Sequence, residues 1–285
     1  MQWNHLRIGI LAFCLLLPGL AGAADDSRAI NALLLQAGTA EEKNNPDGAI
    51  RAYSQILKLR PDDEPILVDR GNAYDDKKDF THAIADFTEA IRLKPGDAMA
   101  HNNRGAVYLG RRDYDRALAD FNDAVRLNPD YLEALGNRAT TYDARRDLAR
   151  AIADYGAILK AQPQNPDALN ARCWDRAFLN VELDAALADC TAALRSIRGK
   201  PAVAAVRDSL GFVWFRKGDM AKAIADYDAA LALAPRMAET LYKRGLAKNR
   251  QTQNNKGENG KADIAAALKL DLHAGDDMNE IGLKP

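Results

Sequence analysis

The chain has 285 residues, 47% of them hydrophobic and 28% charged, which excludes a disordered polymer and leaves room for one large domain or two small ones. Its 39 basic and 40 acidic side chains leave a net charge of −1, excluding any global attraction to nucleic acid or an anionic membrane. An electrostatic partner therefore has to be met by a local patch. In chain order, His5 and Arg7 precede an apolar run from Ile8 to Leu17, followed by Pro18 and the small residues Ala21, Gly22, Ala23 and Ala24. A positive start, a short greasy core and an A-x-A pattern predict a secretory signal peptide over residues 1–23, cleaved after Ala23 or Ala24. The run is shorter than the roughly 18 residues a membrane span needs, so no span is expected after cleavage. Cys14 follows Phe13 inside the apolar core, which argues against a lipoprotein signal. The expected location is periplasmic or secreted.

Beyond residue 28 the chain repeats. A-I-A-D-F at 83–87, A-L-A-D-F at 117–121, A-I-A-D-Y at 151–155 and A-I-A-D-Y at 223–227 echo one another. Pro61, Pro95, Pro129 and Pro163 are spaced by 34 residues, as are Arg70, Arg104, Arg138 and Arg172. With G-x-x-Y at 71–74 and 105–108, this step resembles the tetratricopeptide repeat (TPR) over about residues 28–272. The resemblance implies an all-α, right-handed superhelical solenoid of about seven helix pairs, over 24–285. The units fall at about 30–63, 64–97, 98–131, 132–165, 166–203, 204–237 and 238–272, with a capping helix in 273–285. In the second unit Leu67, Gly71 and Tyr74 share one helical face and Ala83, Phe87 and Ala90 another, with Lys78-Asp79 as the turn. The fifth unit departs from the pattern with an extra residue and a lengthened exit, Ser196 to Pro201, where the stack is expected to bend. The seventh has a polar insertion, Gln251 to Gly260, read as a mobile loop.

No residue set points to chemistry. The four histidines lie outside metal-ligand spacing, and no nucleophile elbow, P-loop, dinucleotide-binding glycine pattern or zinc-protease motif is present. His101 occupies a slot held by Leu67 and Leu135 in other units and is expected to pack. No catalytic residue, metal or cofactor is assigned, and the chain is read as a non-enzyme. Arg70, Arg104, Arg138, Arg172 and Arg244 recur on first helices; Asp86, Asp120, Asp154, Asp189, Asp226 and Asp263 recur on second helices. Pairing within a unit leaves only Asp226 orphaned, beside Leu210, so a repeated helix–helix clasp is expected. The turn pairs Lys77-Lys78, Arg111-Arg112, Arg145-Arg146 and Arg216-Lys217 either solvate the turns or line a basic edge for an anionic partner.

In the TPR family, first helices line a concave groove that holds extended peptides. By this resemblance Asp69, Asn72, Asn103, Asn137 and Thr140 face the groove, giving way to Trp174, Phe212, Phe215 and Tyr242 in the later units. Asn103 and Asn137, 34 residues apart, either resemble the asparagine ladder of the O-linked N-acetylglucosamine transferase superhelix or are solvated helix residues. The carboxylate clamp for chaperone tails is not expected, because Val68, Glu133 and Asn137 stand where its cations belong. The aromatic stretch is read either as an exposed apolar anchor for a ligand or as filler beside the long connection. Cys173 and Cys190, the only cysteines left after cleavage, lie in neighbouring slots of one unit and are expected to form a disulfide rather than stay free. The sequence thus predicts an exported scaffold or adaptor for a protein or peptide. An anion-binding envelope protein and an accessory subunit of an envelope complex are the alternatives; the sequence names no partner and fixes no oligomeric state.

Overall fold

The computed structural model describes residues 18–253 and 260–285, with side chains from residue 26. Among these residues are fifteen helices and no strand. In chain order they are α1 (Pro18–Glu42), α2 (Pro46–Leu59), α3 (Glu64–Asp76), α4 (Phe80–Leu93), α5 (Ala98–Gly110), α6 (Tyr114–Leu127), α7 (Leu132–Ala144) and α8 (Leu148–Ala161). There follow α9 (Pro166–Leu179), α10 (Leu183–Ser196), α11 (Lys200–Lys217), α12 (Met220–Leu233), α13 (Ala238–Gln253), α14 (Lys261–Leu270) and the short α15 (Asp276–Glu280). The chain is an all-α helical repeat solenoid. Packing divides it into two compact units, Met1–Val107 and Tyr108–Pro285. Residues 1–17 of the expected signal segment and residues 254–259 of the expected mobile loop lie outside the described residues; the positions around the expected cleavage site belong to α1.

The turns inside the pairs are written in the sequence. Asp79, Asp113, Asp147 and Asp219 cap second helices by accepting a backbone N–H three residues on, which satisfies one of the orphan donors at a helix start. Just before the cap, Lys78, Arg112 and Arg146 take left-handed backbone, with φ of 64°, 59° and 59°. Non-glycine residues rarely sit there, so these cations close first helices as much as they carry charge. Between helices the approach is close. A Cβ on Gly71 would meet the Phe87 ring at 2.7 Å, and one on Gly211 would meet the Tyr227 ring at 2.7 Å. Small residues on first helices therefore make room for the large ring of the partner helix.

The recurrent arginines are clasps within their own pairs. Arg70, Arg138, Arg172 and Arg244 each donate two bonds of 2.6–2.8 Å to Asp86, Asp154, Asp189 and Asp263. A third nitrogen reaches back to the second helix of the preceding pair: Arg70 to Ser54 (3.1 Å), Arg138 to Asn122 (2.9 Å) and Arg244 to Asp228 (2.7 Å). One planar guanidinium thus fastens three helices. Asp226, expected to be an orphan, accepts instead from Arg207 at 2.6 Å. That arginine lies three residues before Leu210, one helical turn back along α11.

In the first unit, the core gathers Ile56, Val68, Phe87 and Val107 with many alanines. The second unit has a larger core around Tyr155, Phe178, Phe212 and Tyr227. A disulfide joins Cys173 on α9 to Cys190 on α10, with Cα atoms 5.6 Å apart and both residues fully buried. The extra residue of this pair is absorbed at Asn180 and Glu182, both in left-handed backbone, and the long exit becomes extra helix, giving α11 18 residues. The C-terminal segment does more than cover an end. Ala274, Met278 and Leu283 are buried in the second core, Gly275 packs on the Tyr242 ring, and Arg146 at the α7–α8 turn pairs with Asp277 and Glu280.

Candidate functional site

The expected groove residues fall in both units. In the first, Asp69 is half-buried, and the Asn103 side-chain amide donates to Asn72 Oδ1 at 2.9 Å. Burial, together with Glu41 and Asp63, raises the Asp69 carboxyl above the ordinary range. His101 packs in the same unit, with Nε2 3.3 Å from the Pro95 carbonyl oxygen. Asn137 and Thr140 belong to the second unit, where the Thr140 hydroxyl donates back to the Gly136 carbonyl at 3.0 Å.

The aromatic residues do not form an exposed anchor. Phe212 is 0%, Phe215 2% and Tyr242 3% exposed, and only Trp174 is half-buried. The reason lies in α11, which buries Val206, Leu210, Phe212, Val213 and Phe215 and so turns apolar side chains to several neighbours at once. Its rings fill the core: Phe212 lies 5.0 Å from Trp174 and 6.3 Å from Phe215, and Arg216 covers Phe212 at 5.2 Å. Tyr242 packs under Gly275 and Asn279 of the C-terminal segment.

The basic edge is also partly spoken for. Lys77 pairs with Asp47 at 2.6 Å, Arg145 pairs with Asp115, and Lys217 pairs with Asp184 at 2.5 Å. Arg216 donates to the carbonyls of Ala177 and Phe178. Each of these acids stands in the first turn of a second helix one pair earlier. With Arg146 held by Asp277 and Glu280, four of the eight turn cations are paired with acids, which neutralises part of the charge an anion-binding edge would use.

What the second unit does offer is a cleft of about 360 Å³ walled chiefly by α7, α9, α11 and α13. Trp174 forms one side, with Asp143, Asn170, Asp175 and Asp208 around it and the exposed Glu239 at its rim. Asp175 is 2% exposed and Asp208 7%. Lys243, itself buried, is committed to Asp208 and sits 4.4 Å over the Trp174 ring. Arg146 is committed to Asp277 and Glu280. Asp143 accepts from the Tyr155 hydroxyl at 2.6 Å and also bonds the Asp175 carboxyl. Burial first, then the neighbouring Asp143 carboxyl, pushes Asp175 up to about 8, while Arg146 opposes the shift. Among the described residues no group of three or more His, Cys, Asp or Glu converges to hold a metal ion, and no helix is long and apolar enough to cross a membrane.

Neither Asp175 nor Asp208 was assigned to the groove from the sequence. The signal existed. In repeat register Asp175 falls in the column of Ala73, Val107, Thr141, Val213 and Ala247, all buried. A lone acid in a core column marks an exception to packing, and it stands beside the most singular feature of the site.

The sequence profile described as the tetratricopeptide repeat matches residues 34–98, 68–131 and 102–166. No curated protein sequence matches the chain. Among solved structures, a tetratricopeptide repeat protein from Parabacteroides merdae superposes with a TM-score of 0.62 at 17% identity, over 90% of this chain and 98% of that one. YrrB, a TPR protein with an unusual peptide-binding site, gives 0.60 at 19% identity, over 66% of this chain and 94% of its own. PilF of Pseudomonas aeruginosa gives 0.62 at 14% identity, over 74% and 94%. At these identities the likeness is one of fold.

Proposed function

Because the chain is a tetratricopeptide-repeat protein, we propose that it is an exported scaffold that binds a polypeptide partner along the first helices of its second unit. One observation carries this reading. The cleft is walled by four successive first helices and combines the half-buried Trp174 with buried oxygens, Asn170 Oδ1 and Asp208 Oδ1 among them, that meet no donor among the described residues. Such a mixture of apolar wall and convergent polar atoms is what ligand clefts offer. Peptide binding on this fold, as in YrrB, supports it. The signal-like residues 1–23 and the buried disulfide, which persists in oxidising compartments, support export. Mass spectrometry of the exported chain should find it beginning at Ala24 or Asp25; an intact leader would remove that part of the reading.

The binding test is a selection of displayed random peptides on the full chain, repeated with Trp174→Ala. Aromatic side chains at a binding site often account for ~2 kcal/mol or more, so selected peptides should lose at least about tenfold in affinity. Circular dichroism checks that the helices persist. Peptides that bind both proteins equally would place the site elsewhere.

A further inference from the structure

Four buried oxygens in the cleft, Asp143 Oδ1, Asn170 Oδ1, Asp175 Oδ2 and Asp208 Oδ1, meet no N–H or hydroxyl donor among the described residues, although the Asp143 and Asp175 carboxyls bond each other through a shared proton. All four are acceptors, and they come from three helices, α7, α9 and α11. Buried polar atoms are almost always satisfied, and here Asp143 and Asp175 share one proton while Asn170 Oδ1 and Asp208 Oδ1 meet no donor, so the cleft suits an occupant rich in donors. Charge says the same. The two cations nearby are engaged, Lys243 with Asp208 and Arg146 with Asp277 and Glu280, and among the described residues Asp143, Asp175 and Glu239 form no ion pair.

The geometry points to an arginine side chain of the partner polypeptide as the occupant of this cleft, its guanidinium set between Asp143 and Asp175. The assignment rests on the groove reading above and names the group that groove selects. A guanidinium brings five N–H donors in a plane, which suits several acceptors on separate helices better than the compact head of a lysine. The Trp174 ring provides apolar surface for the methylene stem. A carboxylate or phosphate would face Asp143, Asp175, Asp208 and Glu239, with the nearby Arg146 and Lys243 already engaged in ion pairs.

Protonation supports the assignment. With Asp175 raised to about 8, the Asp143–Asp175 pair keeps a proton at neutral pH when the cleft is empty, and an entering cation displaces it. The other groups facing the pair are Arg146 at the α7–α8 turn, Tyr155 on α8, Asp208 on α11, Glu239 and Lys243 on α13 and Asp277 on α15. Affinity should therefore rise as pH passes from 6 to 9.

The test titrates the full chain with N-acetyl-arginine amide, using N-acetyl-citrulline amide as the neutral isostere, and follows the Trp174 indole N–H by NMR. Saturable binding is expected for the arginine probe, at least tenfold weaker for citrulline and for Asp175→Asn. Asp143→Asn, which keeps an acceptor for Tyr155, should weaken it similarly. Affinity should increase at least threefold from pH 6 to pH 9. No saturation, equal binding of citrulline, or indifference to both substitutions would mean that water satisfies these oxygens, and would overturn the assignment. The two readings fail separately. Displayed peptides that need Trp174 without any arginine preference would leave the groove standing and remove the guanidinium pocket; a bound arginine probe with no selected peptide would do the reverse.

Discussion

Asp175 is a carboxyl placed where the repeat asks for an alanine or a valine, and its cost can be measured. Its folded value, about 8, lies far above that of an unfolded aspartate, so between about pH 4 and pH 8 the folded state holds a proton that the unfolded state has released. Stability should fall as pH rises through that window and level off above it, at a rate of up to about 1.4 kcal/mol per pH unit. Asp175→Asn removes the titration. Urea unfolding at pH 5, 6.5, 8 and 9 should show the variant gaining on the parent up to pH 8 and keeping a constant lead at pH 9; parallel curves would show that Asp175 is ionised in the fold. Asp143, raised by the same burial, titrates with it as one pair. Single residues of this kind were hard to read because period and composition report the majority of a column. Phe212 illustrates the converse. Its position after the small residue of the repeat implied exposure, but α11 is enclosed, and no periodicity in one helix states how many neighbours surround it.

At the scale of the element, the helix pair was almost wholly legible. Apolar spacing, the Asp at four of the second-helix starts and the 34-residue step dictate two helices and their turn, and the Arg–Asp pattern anticipated clasps within pairs. What could not be read was compensation. Arg207 reaching Asp226 replaces a missing clasp from a different turn, a substitution that only the folded geometry reveals. In the α9–α10 pair the Cys173–Cys190 link closes a loop of 17 residues. The chain-entropy estimate for such a loop is ~3 kcal/mol. Reduction, or replacing both cysteines by alanine, should lower the urea midpoint of the second unit accordingly with little change in helix content at low denaturant. A thiol count of two on the unfolded, unreduced protein would show instead that the link does not form.

In the second unit as a whole, the C-terminal segment ties distant parts together. Met278 is 2% exposed within the core, and Asp277 and Glu280 hold Arg146, 131 residues away from Asp277. The exposed ion pairs themselves are worth only about 1 kcal/mol or less. Truncating Met278 to alanine should cost ~2–3 kcal/mol locally. Hydrogen exchange would read this as amides of α13 and α14 exchanging at least tenfold faster, since ~1.4 kcal/mol is one decade. Unchanged protection there would mean that the segment rests on the surface without supporting it.

That tie also bears on the order of events in time. A solenoid whose units touch only their neighbours can nucleate anywhere and grow in either direction, and its contacts are short in sequence. The Arg146–Asp277 contact is of another kind, because a loop of that length is costly to close before the intervening helices have shortened the distance. Docking of residues 274–283 therefore has to come late, after α7 to α14 have stacked. Pulse-labelled exchange during refolding should show Met278 and Leu283 becoming protected last, so that the segment acts as a latch that closes only over a finished stack.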